Sequence, residues 1–575
     1  MNRELDFQSP KPRFASWLTD PMRRNRSTYT KVAVAAAMIN IFGLVSSLFS
    51  MIVYDRVLPN NAVASLVGLS IGLLIVVIFD FVLRTLRSYF VDIAGADVDR
   101  QVGDRAFAQL LAIRLDLKRG STGALAGVMR ELETLRDFLA SATLSAMVDV
   151  PFIVITLAVI AAIGGKLVLV PLVMIPIVIG GALATYPAMD RLTAESMKHG
   201  LSKQAVLVET IGGIEMVKTS GAGALLGKRW AYAIDQQADQ SMRQRLIGSI
   251  SMNIANSAQT LSYAGTIVMG VYMIENRELT MGGLIACSML GGRAVAPLAQ
   301  IAQLLSRVTA ARTGYRQING MMTQPSEVPE GTPLRPQRID GKIELRNVSF
   351  RYPGATENAL NEISLTINPG ERVAILGKVG SGKSTVARMI LGLYQPADGL
   401  VLLDGTDLRQ TDLSVVRGKI GAALQDSVLL TGSVRDNIVL GRDGIDDEEM
   451  LRVTRLTGTH DFMGRIANGY DLTLADRGES LSGGQRQSIA LARALAGKPK
   501  LIVFDEPTSS MDGESEEALI QRLMPELADR TLIVITHRPS LLKLATRVIL
   551  MRDGRILADG PRDEILRRLQ QPKAA

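Results

Sequence analysis

A glycine-rich segment in the second half of the chain has the residue types that bind polyphosphates. It fits the pattern G-x-x-x-x-G-K-[ST] and consists of Gly377, Lys378, Val379, Gly380, Ser381, Gly382, Lys383, Ser384 and Thr385. The glycines allow the backbone to bend so that its N–H groups point at a phosphate. Lys383 can then reach the outer phosphates, and the hydroxyl of Ser384 can ligate Mg²⁺. The segment therefore predicts a nucleotide site.

The residues on either side predict the elements that such a loop requires. The apolar run 373–376 is typical of a strand, and residues 386–391 have a helical pattern. The N-terminus of that helix adds the positive end of its dipole to the site. Strand, loop and helix follow one another in the required order, which argues against a chance match in a glycine-rich turn.

Two adjacent acids further along the chain complete the predicted chemistry. Asp505 and Glu506 follow the apolar run 501–504, which predicts a buried parallel strand with a carboxylate at its tip. Asp505 can hold the Mg²⁺ shell, commonly through water, and Glu506 is placed to polarise an attacking water. A solvated turn is the alternative for two such acids, and the apolar strand before them argues against it.

A third motif, Leu481 to Gln487, begins another predicted helix. Ser482 can cap this helix, and Gly483 and Gly484 allow a phosphate to approach free N–H groups. Taken alone, the motif is equally well a capped helix start. It also leaves open whether the phosphate belongs to the same chain or to another one.

From about residue 340 onward, the chain resembles the nucleotide-binding domain of ABC transporters. Residues 481–485 match the family signature LSGGQ in full, whereas 509–512 departs from the usual S-A-L-D and keeps the final Asp512. The resemblance implies that two chains pair head to tail. Each ATP then lies between the phosphate loop of one chain and the signature of the other, whose contacting residues are Ser482, Gly483, Gly484 and Gln485.

The same resemblance assigns roles to three residues that carry no signal by themselves. Tyr352 matches the aromatic that stacks on adenine, Gln425 the Q-loop glutamine near Mg²⁺ and water, and His537 the switch histidine that bonds the γ-phosphate. Glu506, His537 and Gln425 are the implied catalytic residues for hydrolysis of ATP to ADP and phosphate. Ser384, Gln425 and Asp505 are the implied Mg²⁺ ligands, partly through water.

The first half of the chain is much more apolar than the second. Of the 575 residues, 47% are hydrophobic, and long apolar runs lie before residue 310. The single cysteine, Cys287, excludes an intrachain disulfide and a cysteine-based zinc site, and we expect it to be a buried packing residue. We predict six membrane-spanning helices at roughly 32–54, 63–86, 141–163, 166–187, 247–273 and 280–304.

The distribution of basic residues predicts the orientation in the membrane. The net charge is +8, but Lys and Arg gather at the ends of apolar runs and form no concentrated basic face, so no nucleic-acid partner is expected. The turns 55–61, 164–166 and 275–278 carry few positive charges, and the opposite ends of the spans carry many. Both termini and the nucleotide-binding domain are therefore expected in the cytoplasm.

The predicted fold is an α-helical six-span transmembrane domain followed by an α/β P-loop NTPase domain. Its predicted parts are a cytoplasmic N-terminal segment (1–30), a transmembrane domain (31–320), a proline-rich linker (321–340) and a nucleotide-binding domain (341–575). The polar segments 88–139 and 189–245 are predicted as helices that leave the bilayer, reverse near 120–123 and 212–213, and re-enter it.

Segments 53–62, 83–90, 282–287 and 292–298 resemble the bacterial type I secretion ATPases, the haemolysin and RTX-adhesin exporters. This resemblance implies the type I ABC exporter architecture, a homodimer of half-transporters in the bacterial inner membrane, and coupling elements near 115–130 and 208–222 that contact the Q-loop region. It implies export of an unfolded polypeptide, such as an RTX toxin, protease or adhesin. It also implies a periplasmic adaptor and an outer-membrane channel as partners.

Several alternatives remain open from the sequence. Many of these exporters begin with a peptidase-like domain, whereas about thirty residues precede the first predicted span here, so we expect no leader cleavage by this chain. Exporters of lipids, drugs or small peptides share the architecture, and a non-pumping, ATP-gated membrane protein is a further alternative. Asp149 and Arg293 either line a translocation path, pair with each other, or lie in water at the cytoplasmic ends of long helices.

Overall fold

The structure is a computed structural model, which describes residues 15–117, 122–140, 151–329, 331–442, 444–466, 468–475 and 478–570. It divides into two compact units. The first comprises Met1–Leu111 and Arg119–Gln324, and the second comprises Ala112–Lys118 and Pro325–Ala575. The short segment 112–118 thus lies with the second unit, although it falls within the predicted transmembrane domain.

The first unit is built from helices, several of which are much longer than the ~20 residues that cross a bilayer. They are α1 (Ser16–Arg24), α2 (Arg26–Ile52), α3 (Leu58–Asn60), α4 (Val63–Ala112), α5 (Thr122–Ala140), α6 (Pro151–Gly164), α7 (Leu169–Gly212), α8 (Ile214–Thr219), α9 (Gly223–Glu275) and α10 (Met281–Met322). A π-helical turn, Val53–Val57, joins α2 to α3. Helices α7, α9 and α10 pack side by side.

Within the described residues, three stretches are long and apolar enough to cross a membrane by length and composition: Arg26–Asn60, Val63–Ala112 and Pro151–Gly212. A shorter apolar helix covers Met281–Ala296. Apart from Thr280, which caps α10, the described parts of the six predicted spans lie on helices, and the first ten residues of the third span (141–150) fall outside the described residues. Large apolar side chains such as Phe81 are exposed on α4, as expected for a surface that faces lipid.

The segment before the first span contains a helix that packs against the unit. In α1, the ring of Trp17 stacks on Tyr315 of α10 with a centroid separation of 5.5 Å, and its Nε1 donates a hydrogen bond to Asn319 at 3.1 Å. Trp17 and Leu18 are buried against α4, α5 and α10. The N-terminal segment is therefore anchored to helices that follow it by some 300 residues.

Polar contacts tie α10 to the first span at both ends of its apolar part. At one end, Asp55 accepts hydrogen bonds from the Thr280 hydroxyl at 2.6 Å and from the Gly282 N–H at 2.8 Å. Further along α10, the Arg293 guanidinium donates to the Gly43 carbonyl oxygen of α2. Asp149 lies outside the described residues. Cys287 is buried among apolar side chains, as expected.

The second unit has an α/β fold. Its strands are β1 (Ile343–Phe350), β2 (Leu360–Ile367), β3 (Arg372–Gly377), β4 (Asp398–Leu403), β5 (Thr406–Asp407), β6 (Ile420–Ala423), β7 (Gly432–Ser433), β8 (Thr473–Leu474), β9 (Leu501–Asp505), β10 (Thr531–Ile535), β11 (Arg547–Arg552) and β12 (Arg555–Pro561). Its α-helices are α11 (Lys383–Ile390), α12 (Leu413–Gly418), α13 (Val434–Val439), α14 (Asp447–Thr457), α15 (Thr459–Met463), α16 (Gly483–Leu495), α17 (Gly513–Glu526) and α18 (Arg562–Gln570).

A six-stranded sheet forms the centre of this unit, in the order β12-β11-β3-β10-β9-β6. Its strands are parallel except for β12, which runs antiparallel to β11. A second, antiparallel sheet has the order β2-β1-β4-β5. The apolar side chains of β9 and β10 are fully buried, as expected for strands covered on both faces.

The segment that joins the two units is held by specific contacts of the second unit. Glu327 forms a bidentate ion pair with Arg417, with both N–O distances at 2.8 Å. Ile113 forms a β-bridge with Ser326, and backbone hydrogen bonds join Ala112 and Arg114 to Glu327 and Pro325. These contacts explain why 112–118 lies with the second unit.

Candidate nucleotide site

The register of the central sheet brings four loops to one edge. Ile375 of β3 and Asp505 of β9 both lie beside Ile535 of β10, and Ala423 of β6 lies beside Phe504. Because these strands are parallel, their carboxyl ends coincide, and ligands bind at such an edge. The loop after β3 carries the phosphate-binding segment, the loop after β9 carries Glu506, the loop after β10 carries His537, and the loop after β6 carries Gln425.

The phosphate-binding segment has the backbone that its glycines predict. Gly380 and Gly382 have φ angles of 83° and 96°, in the left-handed region that favours glycine. A Cβ atom added to Gly382 would lie 2.7 Å from the carbonyl oxygen of Ala359. The segment ends where α11 begins, so the free N–H groups of that helix face the same edge.

The ammonium group of Lys383 lies across the loop. It donates hydrogen bonds to the carbonyl oxygens of Gly377 and Lys378, both at 2.8 Å. Partial burial lowers the pKa of Lys383, and the carboxylates of Glu506 and Asp505 act in the opposite direction. A cation held close to two acids at the phosphate loop is placed to contact a bound phosphate.

Asp505 has the surroundings of a metal ligand. It is 1% exposed, and burial raises the pKa of its carboxyl group, with Glu506 acting in the same direction and the Ser384 hydroxyl in the other. Among the described residues, Oδ1 of Asp505 and Oε2 of Glu506 are buried without a hydrogen-bond partner. A buried carboxylate oxygen without a donor is costly. Because Mg²⁺ prefers oxygen ligands, the Asp505 carboxylate and the Ser384 hydroxyl fit it.

Glu506 is held directly against His537. The ring Nδ1 of His537 lies 2.7 Å from Oε1 of Glu506. The backbone of Glu506 has a φ of 51°, and its N–H donates to the carbonyl oxygen of Ile535 at 2.9 Å. The left-handed conformation is rare for a residue with a side chain, and it occurs often where function demands a fixed geometry.

Tyr352 lies beside the helix that follows the loop. Its hydroxyl is 3.0 Å from that of Thr385, and its ring meets those of Phe350 and Tyr394 edge to face, at centroid distances of 5.0 and 5.7 Å. The Arg388 guanidinium covers the Tyr394 ring at 5.6 Å. The sheet edge is thus flanked by an aromatic group of the kind that stacks on planar bases.

The signature segment forms a capped helix start. The Ser482 hydroxyl accepts from the Gln485 N–H at 3.2 Å, and the Gln485 side chain accepts from the Ser482 N–H at 2.9 Å. Gly483 and Gly484 pack closely on Ser510. Within the part of the chain that is described, no hydrogen bond joins residues 482–485 to the phosphate loop. Gln425 is exposed and likewise makes no hydrogen bond there.

Sequence reasoning missed Gln487, which connects the signature helix to the residues that follow β9. Its side-chain Nε2 donates to the Glu506 carbonyl oxygen at 3.0 Å and to the Ser509 hydroxyl at 3.1 Å. Its Oε1 accepts from the Ser510 N–H at 2.9 Å. The residue is 3% exposed. The sequence signal that could have identified Gln487 is a polar residue at a position where the predicted helix is expected to be buried.

Arg538, next to His537, was also missed. It donates to the Ser509 carbonyl oxygen at 3.1 Å and pairs with the buried carboxylate of Glu516 at 2.5 Å. These bonds join the loop after β10 to the start of α17. The site is thus supported by side chains from elements that the sequence motifs do not include.

Two family models match the chain. The model described as ABC transporter matches residues 360–509, and the model described as ABC transporter transmembrane region matches residues 30–292. The fold is that of a solved bacterial Atm1-family ABC exporter with ATP bound. The TM-score is 0.80 at 24% identity, over 96% of this chain and 99% of that one. The predicted type I ABC exporter fold is therefore confirmed.

Curated relatives cover nearly the whole chain. The leukotoxin translocation ATP-binding protein LktB of Pasteurella haemolytica-like sp. (strain 5943B) is 33% identical over 552 residues, which are 96% of this chain and 78% of the relative. The toxin RTX-I translocation ATP-binding protein of Actinobacillus pleuropneumoniae is 32% identical over the same shares. The chain is a membrane-embedded, ATP-binding member of the ABC transporter family, and within it belongs with these toxin translocation ATP-binding proteins.

Proposed function

We propose that this chain is the ATPase and membrane channel of a type I secretion system, which exports an unfolded polypeptide. Family membership establishes ATP hydrolysis coupled to transport. The observation that carries the rest is the convergence of Lys383, Asp505, Glu506 and His537 at one sheet edge. The chain therefore has the side chains of a nucleotide site, and its relatives are named for toxin translocation.

The side chains have distinct roles in this proposal. The phosphate loop and Lys383 bind the phosphates of ATP, and the ring of Tyr352 stacks on adenine. Glu506 accepts a proton from the attacking water, and His537 orients the Glu506 carboxylate and hydrogen-bonds the γ-phosphate. Ser384 and Asp505 would hold Mg²⁺, with Gln425 acting through water. The ion would supply charge neutralisation at the phosphates.

We expect two copies of the chain to form the transporter. Each chain contains one phosphate loop and one signature. The hydrogen bonds of Lys383 stay within the loop, and those between Ser482 and Gln485 stay within the signature. Ser482, Gly483, Gly484 and Gln485 would therefore complete the site of the second copy. The phosphate could approach the N–H groups at the start of α16, where a side chain on Gly483 or Gly484 would crowd Ser510.

Mixed dimers test this arrangement. A Lys383→Ala copy and a Ser482→Arg copy should each be inactive alone, but one dimer of both would contain an intact loop facing an intact signature. Co-expression should restore part of the ATP hydrolysis. If the signature acts within its own chain, each copy in the mixed dimer keeps one defect, and no activity returns.

The partners and location follow from the same proposal. The transporter would lie in the bacterial inner membrane with both termini and the nucleotide-binding unit in the cytoplasm. A periplasmic adaptor and an outer-membrane channel would continue the path. Support comes from the basic residues gathered at one end of the spans and from the relatives' names.

A secretion assay tests the proposal against its alternatives. Cells that carry the chain, its adaptor, its outer-membrane channel and a candidate cargo should release that cargo only when Glu506 is intact. The same cargo, kept unfolded, should stimulate ATP hydrolysis by the purified protein. Stimulation by lipids or drugs alone would identify the other class of exporter. Hydrolysis without transport of any of them would identify a non-pumping protein.

A further inference from the structure

A groove with a volume of about 1120 Å³ opens on the first unit between α7, α9 and α10. Its walls include Met189 and Lys203 of α7, the stretch of α9 from Ile234 to Asn253, and Arg307 of α10. The lining residues lie at or just beyond one end of the predicted spans 166–187, 247–273 and 280–304. The groove therefore lies where the predicted spans leave the membrane, on the side that carries most of the basic residues.

Three cations line the groove: Lys203, Arg245 and Arg307. Among the described residues, no acid lines it, and these three side chains make neither an ion pair nor a hydrogen bond. Two other cations of α7 and α9 are paired instead: Arg191 contacts Glu195 at 2.9 Å, and Arg243 contacts Asp239 at 3.1 Å. The groove thus brings three unpaired positive charges together.

The remaining polar wall can bind a peptide backbone. Gln237, Ser241, Gln244, Ser249 and Asn253 line the groove with amides and hydroxyls that both donate and accept hydrogen bonds. The stretch from Ile234 to Asn253 is about 28 Å long at ~1.5 Å per helical residue. That length matches about eight residues of extended chain at ~3.4 Å each.

We propose that this groove binds extended, carboxylate-bearing stretches of the exported polypeptide. The inference rests on the proposed function, because it names the part of the cargo that the transporter binds first. An anionic lipid headgroup has similar charge but is compact. A groove about eight residues long, with amides between its cations, favours a polypeptide.

Peptide binding to the full-length protein in nanodiscs of phosphatidylcholine tests the proposal. One probe is an unstructured peptide of about twenty residues rich in Asp and Glu, and the other replaces these residues with Asn and Gln. The acidic peptide should bind at least tenfold more tightly, and raised salt should remove the difference. Equal binding of the two peptides would overturn the proposal.

Matched variants assign the binding to the groove. Lys203→Gln combined with Arg245→Gln should weaken acidic-peptide binding at least tenfold, and adding Arg307→Gln should weaken it further. The control combines Arg191→Gln with Arg243→Gln. It removes the same number of cations from the same two helices and should bind like the unmodified protein. Equal losses in both double variants would overturn the assignment.

Two other occupants would also overturn the proposal. If nanodiscs with phosphatidylglycerol displace the acidic peptide, and lipid binding depends on Lys203, Arg245 and Arg307, the groove binds lipid headgroups. If the Lys203→Gln and Arg245→Gln variant converts a dimer to monomers, the groove is covered by a second copy of the chain. Gel filtration and native mass spectrometry measure both outcomes.

Secretion separates this proposal from the proposed function. If the unmodified protein secretes cargo and the triple variant secretes it equally well, the groove has no such role and the function stands. If acidic peptides bind through the three cations but no polypeptide is ever exported, the binding site stands and the function is wrong.

Discussion

The ring of His537 is joined to the carboxylate of Glu506 by a contact of 2.7 Å between Nδ1 and Oε1. The two residues follow adjacent parallel strands, two positions after Ile535 and one after Asp505, which are neighbours in the sheet. The carbonyl oxygen of Glu506 accepts a hydrogen bond from the side-chain amide of Gln487. Glu506, which we propose acts on water, is therefore fixed through both its main chain and its side chain.

Replacing Glu506 with Gln should lower the rate of ATP hydrolysis by about 10²- to 10⁴-fold, because the amide cannot accept a proton from water. ATP binding should persist, since Lys383 and the loop are unchanged. Steady-state phosphate release and equilibrium nucleotide binding measure the two effects. Glu517→Gln is the control, because Glu517 pairs with Lys543 on an exposed face of α17. Undiminished turnover in Glu506→Gln would refute the assigned role.

Replacing Gln487 with Ala should affect both stability and hydrolysis. The change removes the hydrogen bonds of the Gln487 amide to Glu506, Ser509 and Ser510, which should lower the free energy of unfolding by about 1–3 kcal/mol. It also releases Glu506 and the Ser509–Ser510 turn, so hydrolysis should fall more than ATP binding does. Melting temperature and phosphate release are the measurements. Gln521→Ala, on the exposed face of α17, should change neither quantity. A stability loss with full hydrolysis would restrict Gln487 to packing.

The sequence motifs predicted the nucleotide-binding segment because each is a run of neighbouring residues with its own strand or helix. The contacts that support the site were not predictable in this way. Gln487 bonds residues about twenty positions away, and Trp17 packs on a helix some 300 positions away. Such pairings depend on how elements pack, and a single sequence gives no local signal for them. The placement of 112–118 beside Ser326 has the same origin.

Replacing Gly282 with Ala should destabilise the junction between the first span and α10. The added Cβ would lie 2.4 Å from the Met51 carbonyl oxygen and 2.6 Å from the Asp55 carboxyl carbon. It would thereby disturb the hydrogen bonds that Asp55 accepts from Thr280 and Gly282. We expect a cost of about 1–3 kcal/mol, seen as a lower melting temperature in detergent.

Gly292→Ala is the matched control for this change. It lies on the same helix, and its nearest atom, in the Gln259 side chain, would be 3.9 Å from the new Cβ. A helix-favouring alanine at that position should leave the melting temperature unchanged or raise it slightly. Equal melting temperatures of the two variants would show that the Met51 carbonyl oxygen can move away from the new Cβ at position 282 without loss of stability.

The buried carboxylate of Glu516 should make stability depend on pH. Burial acts to raise its pKa, but hydrogen bonds from Ser540, Thr508 and Arg538, together with the charge of Arg538, outweigh burial and lower the pKa. Because the folded pKa lies below the unfolded value of about 4.3, the carboxylate stabilises the fold fully above that value. This contribution is lost as the pH falls through the lower, folded pKa.

Glu516→Gln should therefore melt at a lower temperature than the unmodified protein at neutral pH, with a cost of about 1–3 kcal/mol. The gap should narrow as the pH is lowered below about 4, where the native carboxylate becomes protonated as well. Glu517→Gln, at the next position, removes only an exposed ion pair and should cost at most about 1 kcal/mol at any pH. Melting curves of the full-length protein between neutral and acidic pH measure the gap. A gap for Glu516→Gln that does not change with pH would mean that shape and packing, rather than the negative charge, are what this position contributes.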